Sequence, residues 1–144
     1  MKESLGLPRI NGRRGAYLLV SAPVYLVVGL SFFAPQTNTV TRRAALQWLE
    51  ETGVPIQPFA ALWIIAALVA IVCAFQSRPR DWFGFAALTF AGSVWGALFI
   101  IGAFTGAPAV GFVSAAVYWL FAALPMVVSG MMGETDRDHR KVKF

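Results

Sequence analysis

Charge is scarce in this sequence where a soluble domain would need it. Only 13% of the residues are charged and 58% are apolar, more apolar surface than a domain of 144 residues can hide from water. Four long stretches, 15–34, 57–76, 82–104 and 109–132, contain no Asp, Glu, Lys, Arg or His. Ion-coupled transport, proton relays and voltage sensing rely on ionisable groups at membrane depth, so none of them is expected. The one histidine, His139, lies in the polar tail, and the one cysteine, Cys73, in the second stretch. A Cys/His nucleophile pair or a metal cluster therefore cannot be assembled. Asp136 and Asp138 beside His139 read as a solvated tail. Glycine-rich phosphate loops and zinc motifs are missing too. The expectation is a non-catalytic protein with no cofactor and no metal.

What is present is membrane-spanning length. Each stretch matches the roughly 20 residues that cross a hydrocarbon core of about 30 Å. In hydrocarbon the backbone amides must pair internally, so each is expected to be a helix; the short alternating strands of a barrel are not seen. The fold class is all-α, an integral membrane four-helix bundle. The first stretch follows Lys2, Arg9, Arg13 and Arg14 and so resembles a signal peptide. Phe32-Phe33-Ala34-Pro35 suits signal peptidase poorly, and the helix is expected to stay. Arg13-Arg14 reads as a membrane-flanking pair, since the rest of a twin-arginine signal is missing.

The basic residues set the expected orientation. Lys2, Arg9, Arg13, Arg14, Arg78, Arg80, Arg137, Arg140, Lys141 and Lys143 fall on one side of the four spans, and only Arg42 and Arg43 on the other. By the positive-inside rule both termini and the central turn are cytoplasmic. This division into short flanking clusters argues against nucleic acid as a partner.

Three segments flank or link the spans. Residues 1–14 form a cytoplasmic start with Gly6, Pro8 and Gly12, expected to be flexible or surface-lying, and 133–144 form a charged cytoplasmic tail, expected to be disordered or only transiently helical. The outer loop can hold an amphipathic helix over 41–52, capped by Thr39 or Thr41 and ended by Gly53 and Pro55. Its Ala44, Ala45, Trp48 and Leu49 share one side, with Leu46 at the border and Arg43, Gln47 and Glu50 opposite. Such a helix is expected to lie in the outer interface with Trp48 as its anchor, either as a lid over the bundle or as a docking helix. The turns at 77–81 and 105–108 are tight and impose antiparallel neighbours.

Packing signals complete the reading. Gly92 and Gly96, with Thr89 and Ser93 on the same face, form a small-residue seam in the third span, expected to meet a helix of the same bundle before another copy. Ala66, Ala70 and Ala74, and Ala107, Gly111 and Ala115, give similar seams. Tyr25 with Ser21, and Tyr118 with Ser114, lie near mid-membrane and need hydrogen-bond partners; Ser114, Tyr118 and Ser129 can line a polar seam. Pro23 and Pro125 free backbone carbonyls and kink their helices. Ala60, Trp63, Ala66, Ala67 and Leu68 recur with the same spacing as Ala116, Trp119, Ala122, Ala123 and Leu124, which suggests a duplicated helical hairpin.

Gly12-Arg13-Arg14-Gly15, Leu46-Gln47-Trp48-Leu49, Leu62-Trp63-Ile64 and Arg80-Asp81-Trp82-Phe83-Gly84-Phe85-Ala86 give the chain a resemblance. It resembles the small uncharacterised four-helix membrane proteins of actinobacteria and their phages. The resemblance implies a bacterial plasma membrane and carries no activity with it. Three functions fit the residues. The first is an accessory or regulatory subunit that packs with itself or with a membrane-protein partner. The second is a holin-like phage lysis protein, and the third a small passive channel or permease along the Ser114–Tyr118–Ser129 seam.

Overall fold

The computed structural model describes residues 10–34, 40–76 and 80–141, the side chains of 40–43 and 132–141 excepted. Every element among the described residues is a helix: α1 (Gly12–Ser31), α2 (Val40–Glu51), α3 (Gln57–Ala74), α4 (Trp82–Thr105) and α5 (Pro108–Lys141). α1, α3, α4 and the Pro108–Met131 part of α5 are long and apolar enough to cross a membrane. These four apolar helices mark a multi-pass membrane protein. The expected caps Thr39 and Thr41 lie outside the described side chains.

Local chemistry sets the ends. α2 stops at Gly53, which takes φ +74°, a left-handed value that glycine adopts without a Cβ clash. The Gly53 N–H then bonds the Glu50 carbonyl at 3.0 Å and the Val54 N–H bonds the Leu49 carbonyl at 3.2 Å, the paired bonds of a Schellman cap. Pro58 in α3 and Pro108 in α5 sit in the first turn, where their missing N–H costs nothing. α5 does not stop at the membrane boundary expected near residue 132 but runs to Lys141, so the charged tail begins as helix.

The helices neighbour one another in the order α1, α3, α4, α5, and small residues bring each pair together. A Cβ on Gly15 would collide with the Ala74 carbonyl, and one on Gly29 would come within 3.2 Å of the Ala60 carbonyl. Midway between these contacts Ala22 and Ala67 are both fully buried, so α1 and α3 share a small-residue face repeating every seven residues. α4 and α5 meet the same way, Gly92 against the backbone at Tyr118 and Ala122, Gly96 under the Trp119 ring, and Gly111 against Ala103. The Gly92–Gly96 seam is thus filled from within the chain.

α2 packs on α4 and α5 through Ala45, Leu46 and Leu49, all buried. Gly102 of α4 makes room for it, since a Cβ there would strike the Ala45 carbonyl. This corrects the helical wheel: Leu46, expected at the border, is buried, and Ala44 is exposed. Backbone contact at Gly102 rotates the helix so that the stripe 45, 46, 49 faces inward. The residues of the apparent repeat also occupy unlike places. Ala60, Trp63 and Ala67 are fully buried, whereas Ala116, Trp119 and Ala123 are exposed, because α3 lies between two neighbours and α5 lies at the edge.

Candidate functional site

The middle of the bundle is an aromatic core. Trp63 and Trp95 are fully buried, with ring centroids 6.4 Å apart. Tyr25 lies 4.6 Å from Trp63, Phe32 4.3 Å from Trp95, and Phe121 edge-on to Trp63 at 6.1 Å. Tyr118 stacks on Phe99 at 5.1 Å and also touches both tryptophans. Such pairs prefer offset and edge-to-face geometries, and here they interlock four helices. The Trp95 indole donates to the Phe59 carbonyl at 3.0 Å.

One bond in this core follows from the sequence. Pro125 has no N–H, so the carbonyl one turn earlier, on Phe121, loses its helical donor. The Tyr25 hydroxyl from α1 takes the place of that donor, at 2.9 Å. A proline in α5 and a tyrosine in α1 thereby complete one another.

The polar groups gather at one end. Asn11 precedes Gly12, whose φ of +52° turns the incoming chain so that the Asn11 N–H reaches the last carbonyl of α3, Ala74, at 3.0 Å. One turn into α1, Arg14 is buried and its Nε donates to Asp81 Oδ2 at 2.5 Å; Nη2 reaches Asp81 Oδ1 at 3.3 Å. Asn11 Nδ2 donates to the same carboxylate at 3.1 Å. Across the bundle, Arg14 Nη1 and Nη2 donate to the backbone carbonyl and the hydroxyl of Ser129 at 3.1 and 3.3 Å. The guanidinium lies 4.8 Å from the centre of the Phe85 ring. Asp81 is 2% exposed, so charge, hydrogen bonds and ring face together replace the water both ions have lost.

This pair corrects the expectation that no ionisable group enters a span. Arg14 and Asp81 each lie one residue outside the stretches drawn from the sequence, yet both are enclosed, and Arg14 is helical. A signal was present. Asp81 is the sole acid between the second and third spans and directly abuts the third, as Arg14 abuts the first. Antiparallel packing brings those two ends to the same side.

Beside the pair, a groove of about 490 Å³ opens sideways between α4 and α5. Phe85, Ala86, Phe90 and Met126 form most of its wall, Trp82 stands at one end, and Ser129 connects it to Arg14. Thr89 and Ser93 contribute hydroxyls, that of Thr89 enclosed and without a hydrogen-bond partner.

The other expected residues have the following neighbours. Ser129 belongs to the Arg14 cluster, Tyr25 to the Phe121 carbonyl, Tyr118 to the aromatic core, and Ser114 is half-buried on α5. Ser21 lies beside the Tyr17 hydroxyl. Trp48 is half-buried against the core and its indole nitrogen is enclosed, with no hydrogen-bond partner. No group of three His, Cys, Asp or Glu side chains that could hold a metal ion occurs among the described residues. Comparison with protein-family models, with curated proteins and with solved structures found no match for the chain.

Proposed function

We propose that the protein is a non-catalytic subunit of the bacterial plasma membrane that acts by packing laterally against another membrane helix, as an accessory or regulatory component. Trp119 carries this reading. It lies midway along the α5 span and leaves 48% of its surface outside the bundle. Tryptophan favours the membrane–water interface; here its nitrogen edge lies against Gly96 at mid-membrane and the rest of the ring stands half outside the bundle, a surface that a second helix can cover. Both termini are cytoplasmic in this proposal, which Arg13, Arg14 and Arg80 at one end of the bundle favour.

The test is co-purification and in-membrane cross-linking of the full chain from its native membrane. Trp119→Ala is expected to weaken recovery of the associated helix while the bundle keeps its helicity. Recovery unchanged by Trp119→Ala, or a chain that runs alone at all concentrations, rejects the proposal. Expression in bacteria separates it from a lysis protein: steady accumulation with membrane potential intact is expected, and abrupt depolarisation with growth arrest would transfer the assignment to the holin class.

A further inference from the structure

We infer that the α4/α5 groove binds a phospholipid with an anionic headgroup, one acyl chain lying along Phe85, Ala86, Phe90 and Met126 and the phosphate held beside Arg80 and Ser129. The groove opens sideways, toward the bilayer, and its wall is mostly hydrocarbon and ring. From Trp82 to Ser93 it runs along α4 for about 16 Å at ~1.5 Å per residue, close to the depth of one leaflet of a roughly 30 Å core. Its Trp82 end is the polar one. Trp82 is half-exposed there, as befits an indole at headgroup level, and Arg80, two residues earlier, is exposed.

The charges at that end do not cancel. Arg14 is matched by Asp81, which leaves Arg80 and the exposed Arg13 to attract an anion. The N-terminus of α4 adds its partial positive charge at the same level. Ser129 supplies a donor. Its oxygen accepts from Arg14 Nη2, so its own O–H remains to be given to a phosphate or ester oxygen on the groove side. A second helix is the competing occupant of an apolar groove, and the experiment distinguishes the two.

The full chain, purified in detergent and stripped of native lipid, is offered equal amounts of phosphatidylglycerol and phosphatidylcholine, and bound lipid is counted by native mass spectrometry. Phosphatidylglycerol is expected to be retained about fivefold over phosphatidylcholine, the ratio one basic residue gives near an anionic surface. Arg80→Gln should reduce that preference, and Arg13→Gln with Arg80→Gln should remove it. Ala86→Trp, from an exposed position, should fill the groove and abolish retention of both lipids, while Leu120→Trp on the outer face of α5 should change nothing. Equal retention of the two lipids, or retention unaltered by Ala86→Trp, overturns the inference. Disulfide formation between two copies of Ser93→Cys in phosphatidylglycerol vesicles also overturns it, since a second chain would then occupy the groove.

Discussion

Asp81 shows what one carboxylate does at the edge of hydrocarbon. It receives Arg14 and Asn11 and is almost wholly enclosed. Removing its charge leaves the guanidinium buried and unmatched, a loss of about 3–5 kcal/mol for a buried pair. Asp81→Asn is therefore expected to lower the melting temperature in detergent sharply. The double change Arg14→Met with Asp81→Leu should recover much of that loss, because the pair's desolvation cost disappears with it. A double variant no more stable than Asp81→Asn would show that the cost lies elsewhere. Tyr25 makes a second, smaller case. Tyr25→Phe should cost about 1 kcal/mol, the scale of a hydrogen bond between membrane helices. In a Pro125→Ala background the restored N–H at position 125 can bond the Phe121 carbonyl, and the same change at Tyr25 should then cost less. Equal costs in the two backgrounds, measured by unfolding, would mean that the hydroxyl does not substitute for the missing N–H.

Among the elements, close approach depends on glycine and alanine at a few positions. Gly96 holds the Trp119 ring, so Gly96→Val forces the ring outward and should cost about 1–3 kcal/mol by overpacking, read as a lower melting temperature. The same substitution at Gly130, where a Cβ meets nothing, should have little effect. This scale was also the most legible in the sequence. Uncharged length gave all four spans, and Gly53 with Pro55 gave the end of α2. The Gly15–Ala22–Gly29 face of α1 went unread, because small residues that far apart stand out only when the opposing Ala60, Ala67 and Ala74 are set against them. The rotation of α2 was hidden for the same reason, since Gly102 lies in a different helix and only its contact with Ala45 turns Leu46 inward. The Arg14–Asp81 pair was lost to a boundary. Hydropathy stops a span at the first charge, and these two charges are the first.

For the whole molecule, the aromatic core and the antiparallel order make one body in which both ends of α1 are fixed by later helices. The near end is held by Asp81 and Ser129, and the far end by Trp95 through Phe32. The orientation proposed above, with both termini cytoplasmic, is tested at this scale. A reporter active only in the cytoplasm, fused after Phe144, is expected to be active, and a cysteine placed at Thr52 in a Cys73→Ser chain should react with an impermeant reagent added outside the cell. A silent reporter together with an unreactive cysteine would invert the assignment.

The ion pair also sets an order in time. Its acid is made 67 residues after its base. Until the ribosome has passed residue 81, the growing chain lacks the carboxylate that pairs with Arg14 in the folded bundle, and Ser129 arrives later still. A fragment halted before that point lacks the carboxylate that encloses Arg14 in the finished bundle, so α1 cannot settle at its final depth until the start of α4 has been made.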